Sequence, residues 1–145
     1  EINVASKLAN MKLLFEKSEE VEIILRIPND LVVTTWADNA QLTTVFNNLI
    51  KNGIQSTAGK RKALIHIDVA NSATEIIVHV SDNGFGIPKQ IQHRLFEPNF
   101  TTKSSGMGLG LAICKKIIES THGSISFTTR EGFGSRFEVR LPLKY

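Results

Sequence analysis

The stretch Ser81-Asp82-Asn83-Gly84-Phe85-Gly86-Ile87-Pro88 limits what this chain can fold into more than any other. Residues 75–81 before it form an apolar, β-branched run, which predicts a buried strand. Such a strand delivers one carboxylate, Asp82, to its end, and the chain then turns. Glycines at 84 and 86 permit φ > 0 or a ligand's close approach. Pro88 blocks a simple continuation of the sheet. A carboxylate placed there can hold the polar edge of a ligand in an otherwise apolar pocket. Asn83-Gly84 is also a common hairpin signal, so this stretch alone leaves a plain turn and a binding site both open.

Upstream, Asp38 is a plausible N-cap for a helix over residues 38–56. In helical projection Leu42, Val45, Phe46, Leu49, Ile50 and Gly53 fall on one side. Gln41, Thr44, Asn48, Asn52 and Gln55 fall on the other. A solvent face ordinarily carries Lys and Glu, which favour helix more than Asn does. Here the polar stripe is uncharged amides and a hydroxyl, with Lys51 to one side. Asn48 and Asn52 are one turn apart, so their amides converge. Amide oxygens can ligate a hard cation such as Mg²⁺, and amide NH₂ groups can donate to phosphate. A solvated face is the plainer alternative.

Downstream, Gly106-Met-Gly-Leu-Gly-Leu111 opens a helix over 109–122, which Gly123 is expected to end. Glycines at a helix start let backbone N–H groups approach an anion that the helix dipole favours. The stretch is neither a P-loop nor a dinucleotide fingerprint, because its spacing and context are wrong for both. Between the turn and this helix lies Phe96-Glu-Pro-Asn-Phe100-Thr-Thr-Lys103, in a loop over 95–107. It reads either as a surface loop pinned by phenylalanines or as a lid whose Lys103 reaches a phosphate.

The remaining elements follow from pattern. An amphipathic helix is expected over 3–17, packed on this domain's own core or ending a preceding helical element. Strands are expected at 21–27, 32–36, 63–70, 74–82, 124–130 and 135–141, with a short helical patch at 89–94. The basic loop 57–62 reads as a solvated charge run. The fold class is an α/β two-layer sandwich, with a mixed, mostly antiparallel sheet and helices on one face.

At 145 residues the chain is about one domain, long enough to bury a core without staples. The single cysteine, Cys114, rules out a disulfide within the chain and fits a reducing, cytoplasmic setting. No apolar run approaches the roughly 20 residues that span a bilayer. The start lacks a signal peptide and an initiator Met, so a longer parent protein is expected. A net charge of +3 is too small to argue for nucleic acid. The four histidines, His66, His79, His93 and His122, show no metal-ligand spacing.

The order of these stretches resembles the catalytic, ATP-binding domain of sensor histidine kinases. The wider superfamily includes the DNA gyrase B subunit, the large heat-shock ATPase and MutL. The N box resembles Asn48 to Ser56, the G1 box Asp82 to Ile87, the F box Phe96 to Lys103 and the G2 box Gly106 to Leu111. The forms Phe-Thr-Thr-Lys and Asn-Gly-Ile-Gln are most similar to the nitrogen-regulatory branch. The resemblance covers residues 18–145, leaving 1–17 as a helical segment that can end a preceding dimerisation or linker helix.

The resemblance implies the Bergerat ATP-binding fold, with ATP and Mg²⁺ as cofactors. It implies that Asp82 accepts from the adenine 6-amino group, and that Asn52 ligates Mg²⁺ with Asn48 beside it. Gln55, Gly84, Gly86, Ile87, Phe96, Thr101, Thr102, Lys103, Gly106, Met107, Gly108, Leu109, Gly110 and Leu111 complete the implied nucleotide site. Asn48, Asn52 and Lys103 are the implied catalytic residues. Gly53 stands where alanine is commoner and is expected to stay clear of the site. Gln55 replaces a common Lys or Arg, so one cationic contact is missing. Hydrolysing relatives carry Glu where Asn48 stands, and an amide cannot act as a general base.

The implied function is γ-phosphoryl transfer to a histidine on a separate helical dimerisation domain. None of the four histidines here begins the His-Glu/Asp pattern expected of that acceptor. The implied partners are that domain and a response-regulator receiver domain, with a monomeric isolated domain in a homodimeric parent that can be membrane-anchored. A nucleotide-gated interaction module and a serine kinase of the same superfamily are the alternatives.

Overall fold

The computed structural model describes residues 1–57, 59–98, 100 and 108–144, without the side chains of 108 and 109. Among them the main sheet has five strands in the order β2-β4-β5-β7-β6. These are β2 (Val21–Arg26), β4 (Ala63–Asn71), β5 (Glu75–Asp82), β6 (Ser124–Arg130) and β7 (Gly134–Pro142). Strand β2 pairs in parallel with β4, and the other three pairings are antiparallel. A small second sheet pairs β1 (Ile2–Asn3) with β3 (Thr34–Thr35). The strand expected over 32–36 is therefore reduced to its centre.

Helices α1 (Val4–Phe15), α2 (Asn39–Gln55) and α3 (Gly108–Ser120) pack on one face of the main sheet. The period-2 pattern of the strands produces that face. Ala63, Ile65, Ile67 and Val69 of β4 are buried, as are Ile76, Val78 and Val80 of β5. The alternate residues His66, Asp68, His79, Ser81, Glu138 and Arg140 occupy the opposite, half-exposed face. Helix α1 contributes Val4, Leu8 and Met11 to the same core as α2 and α3. Its last turn is tied to the sheet edge, because Glu16 Oε2 accepts the Ile23 N–H at 3.1 Å.

Helix α2 carries the polar stripe and is set by its termini and its apolar side. Asp38 caps it by accepting the Gln41 N–H at 2.9 Å. The six residues projected inward, Leu42, Val45, Phe46, Leu49, Ile50 and Gly53, are all buried. Full burial of Phe46 alone is worth about 2–3 kcal/mol.

The end of α3 differs from expectation. The left-handed residue is His122, at φ 64°, and not Gly123. The Gly123 N–H reaches back to Ile118 O at 3.0 Å and the His122 N–H to Glu119 O at 3.0 Å, a Schellman ending. Gly123 is needed for another reason: a Cβ there would lie 2.2 Å from the Arg140 carbonyl oxygen.

Candidate functional site

Strand β5 ends at Asp82, and donors from three elements fix its carboxylate. Oδ1 lies 2.9 Å from the Gly84 N–H, 3.1 Å from Ser56 Oγ and 3.3 Å from the Ser135 N–H. The Gly84 bond closes a local Asx turn. Ser56 comes from the end of α2 and Ser135 from β7. The single hydroxyl proton of Ser56 is shared, since the Gly53 carbonyl also lies 2.7 Å from its oxygen.

The glycines around Asp82 are required by close approach. A Cβ on Gly84 would lie 1.8 Å from Ser56 Oγ. A Cβ on Gly86 would lie 2.4 Å from the Arg130 carbonyl oxygen, and Gly86 has φ +77°. The expectation that Gly53 stands clear of the site is not met. A Cβ there would lie 3.1 Å from Asp82 Cβ and 2.7 Å from Ile65 Cδ1. Gly53 lets α2 rest directly on the strand end that presents the carboxylate.

Asn83 turns away from the site. Its side chain accepts from the Leu64 N–H at 2.9 Å and donates to Lys62 O at 3.0 Å, lacing the end of β5 to the start of β4. Ile87 is half-buried, and its N–H donates to Thr129 Oγ1 at 2.9 Å. The turn is thus fastened to β6 as well as to β5.

On α2, Asn48 and Asn52 are both half-buried, while Gln41, Thr44, Lys51 and Gln55 are exposed. The Asn52 amide has no side-chain hydrogen bond among the described residues. Asn48 is turned toward α3: its Nδ2 lies 3.5 Å from Gly110 O and 3.8 Å from Cys114 Sγ. A Cβ on Gly110 would lie 3.4 Å from Asn48 Cγ, an ordinary van der Waals distance, so the first turn of α3 lies close against this amide. Cys114 is buried behind Asn48, and burial pushes its thiol up to about 11. It packs there as part of the hydrophobic core.

The start of α3 at Gly108 places helix N-terminal amides beside the stripe, an arrangement that suits an anion. Among the described residues no three His, Cys, Asp or Glu side chains cluster to hold a metal. A hard cation here would draw on amide oxygens, its ligand's oxygens and water, as Mg²⁺ commonly does. Leu111 is half-buried against the core. Phe96 packs on Phe127 and Phe137, with ring centroids 5.9 and 6.5 Å apart, anchoring the segment after the 3₁₀ turn Lys89–Arg94. Thr101, Thr102, Lys103, Gly106 and Met107 lie outside the described residues, as does the side chain of Leu109.

Two residues that hold Asp82 were missed by sequence reasoning. Ser56 follows Asn52 by one helical turn, so extending the stripe by four residues would have found it. Ser135 is joined to Asp82 by the pairing of β7 with β5, where Ser81 faces Arg136. No local signal in the sequence carries that register.

This architecture is that of histidine kinase catalytic domains. The nucleotide-free catalytic domain of histidine kinase ThkA superposes with a TM-score of 0.84 at 31% identity, covering 98% of this chain and 93% of that one. The chain belongs to the histidine kinase-, DNA gyrase B- and HSP90-like ATPase family, whose model matches residues 37–145. It is 35% identical over 135 residues to the sensor histidine kinase ZraS of Escherichia coli strain K12, with 92% of this chain and 29% of ZraS covered. It is 37% identical over 107 residues to the sensor protein TdiS of Thauera aromatica, with 71% of this chain and 20% of TdiS covered. The chain therefore spans less than a third of the length of either relative.

Proposed function

We propose that this chain is the ATP-binding catalytic part of a sensor histidine kinase, passing the γ-phosphoryl group of ATP to a histidine on a separate helical dimerisation domain. One observation carries the reading: the strand-end carboxylate of Asp82 is tied to Ser56 at the end of α2, the same helix whose half-buried Asn48 meets the first turn of α3. In this reading Asp82 accepts the adenine 6-amino hydrogen bond, and Gly84, Gly86 and Ile87 border the base. Asn52, with Asn48 beside it, would hold Mg²⁺, which would offset charge on the phosphates. The glycines of 106–110 would approach the phosphates, with Thr101, Thr102 and Lys103 nearby.

The residues at hand suit positioning and charge stabilisation, which is most of what phosphoryl transfer asks of a protein. Asn48 cannot take a proton from water, so the site favours a side-chain acceptor over hydrolysis. The accepting imidazole nitrogen forms the new P–N bond as ADP leaves. Residues 18–145 would form the catalytic domain, with α1 packed on its core through Val4, Leu8 and Met11 and begun by its own Asn3 cap. Another structure of ThkA, in complex with the response regulator TrrA, aligns with a TM-score of 0.80 at 29% identity. That similarity supports a response-regulator receiver domain as partner, in a homodimeric parent. No helix among the described residues is long and apolar enough to cross a membrane, and a cytoplasmic setting for this domain goes with the reading.

The test is the full-length protein incubated with γ-labelled ATP and Mg²⁺. An acid-labile, base-stable label on a histidine is the expected result. An acid-stable label would point to a serine kinase, and nucleotide binding without label to a nucleotide-gated interaction module.

A further inference from the structure

Three turns meet at one end of the main sheet. The first follows β5 and carries Phe85, the second joins β6 to β7 and carries Phe133, and the third precedes β4 and carries Lys60 and Arg61. The pairings Ile65–Asp82 and Ser81–Arg136 bring them to the same edge. The Gly132 N–H donates to the Phe85 carbonyl at 2.7 Å, and the Phe85 N–H to the Ser56 carbonyl at 3.1 Å. The turns are thus held together by backbone.

Their side chains make an aromatic and cationic patch. Phe85 is 42% and Phe133 66% exposed. The Phe85 ring carries Arg61 at 5.1 Å and Lys60 at 5.9 Å, and the Phe133 ring carries Arg130 at 4.1 Å. None of these three cations has an ion-pair partner among the described residues. Lys62 is engaged with Glu22 at 3.9 Å. Glu131, in the same hairpin turn, accepts the Lys89 N–H at 3.0 Å.

We propose that this end of the sheet docks on an anionic lipid surface, with Phe85 and Phe133 entering the headgroup boundary and Lys60, Arg61 and Arg130 meeting lipid phosphates. Exposed aromatic rings on turn tips are costly in water and suited to an interface with one wet and one apolar side. Long cationic side chains can keep their charge at the headgroups while their stems follow the rings inward. Unpaired basic residues are attracted to anionic leaflets, each by roughly fivefold in partitioning. Both rings stand on turns at the same end of the sheet. One cavity, of about 390 Å³, lies elsewhere, between Trp36, Asp38 and His122. Exposed rings with cations over their faces suit a deformable, negatively charged surface. The proposal rests on these residues alone and does not depend on nucleotide binding.

The experiment sediments the 145-residue chain with vesicles of phosphatidylcholine, with and without phosphatidylglycerol. Binding at least about fivefold tighter to the anionic vesicles is expected. The double variant Lys60→Glu/Arg61→Glu should lower that partitioning by more than about tenfold, and Phe133→Ser by about fivefold. Should Phe133→Ser fail to fold, the charge variant on its exposed loop carries the test. A Phe133→Trp variant in a Trp36→Phe background should shift its emission to the blue on anionic vesicles. Equal partitioning on both vesicle types, wild-type binding by the charge variant, or an unshifted tryptophan would each overturn the proposal. So would capture by polyglutamate without vesicle binding, which would mark the patch as a site for an acidic protein.

Discussion

Ser56 Oγ lies 3.1 Å from Asp82 Oδ1, joining the end of α2 to the end of β5, and fills the space a side chain on Gly84 would need. Ser56→Ala removes this donor and leaves the Gly84 and Ser135 N–H groups on Asp82 Oδ1. The expected cost is about 1 kcal/mol of stability, read by urea denaturation. Affinity for an adenine nucleotide should fall several-fold, because the carboxylate loses part of its orientation. An unchanged affinity would mean that the other contacts of Asp82 suffice to position it.

Gly86→Ala places a Cβ against the Arg130 carbonyl oxygen at a left-handed φ, and neither backbone can yield cheaply. The loss should exceed about 3 kcal/mol, adding overpacking to conformational strain. Gly59→Ala is the control. Gly59 has φ +70° but nothing within 4 Å of a built Cβ. It should lose only about 1–2 kcal/mol. Equal losses in the two variants would show that the turn does not pack on β6 as described.

Asn52→Ala should leave the fold intact, since the amide makes no side-chain bond among the described residues and lies off the buried side of α2. Stability should stay within about 0.5 kcal/mol of wild type. Mg²⁺-dependent nucleotide binding should be lost, as read by calorimetry with and without Mg²⁺. Unchanged Mg·ATP affinity would assign the stripe another role.

Much of the scaffold was legible because it rests on local periods. The buried side of α2 repeats at helical spacing and β4 is an apolar, β-branched run, so both elements could be placed from residues alone. The β5 turn was legible for a different reason: Asp82, Gly84 and Gly86 fall at a strand end where only special backbone is tolerated. What remained hidden is non-local. Strand order, the Ser135 donor and the contact of Gly86 with Arg130 depend on pairings between segments far apart in sequence. His122 took the left-handed position at the end of α3 because Gly123 was needed against Arg140 one residue later. Gly53 shows the same limit, since its neighbours Ile65 and Asp82 belong to two other strands.

Glu138 on the open face of the sheet should contribute an acid limb to stability. Hydrogen bonds from Arg140, and secondarily from His79, hold its carboxyl below the ordinary value of 4.5. The contacts are 2.9 Å to Arg140 Nε and 2.9 Å to His79 Nε2. A carboxyl with a depressed folded pKa stabilises above its unfolded pKa, and that contribution is lost as pH falls through the folded value. Glu138→Gln should therefore be less stable at neutral pH, by under about 1 kcal/mol because solvent screens the pair. The difference should close as pH drops below the carboxylate range. Thermal melts from neutral to acidic pH read this directly, and a gap that persists in acid would refute the charge-based role.

The most direct test of the account is a competition titration of ATP and GTP against a fluorescent adenine nucleotide, on wild type and Asp82→Asn. An ionised carboxylate only accepts hydrogen bonds. Adenine presents a 6-amino donor to it, whereas guanine presents a carbonyl oxygen. Wild type should prefer ATP by roughly 30- to 1,000-fold, corresponding to about 2–4 kcal/mol for the lost bond and the two acceptors set face to face. Asp82→Asn should bind ATP more weakly and discriminate less, since an amide can turn its NH₂ toward either base. Comparable wild-type affinities for ATP and GTP would contradict the role of Asp82, and with it the nucleotide site built on the end of β5.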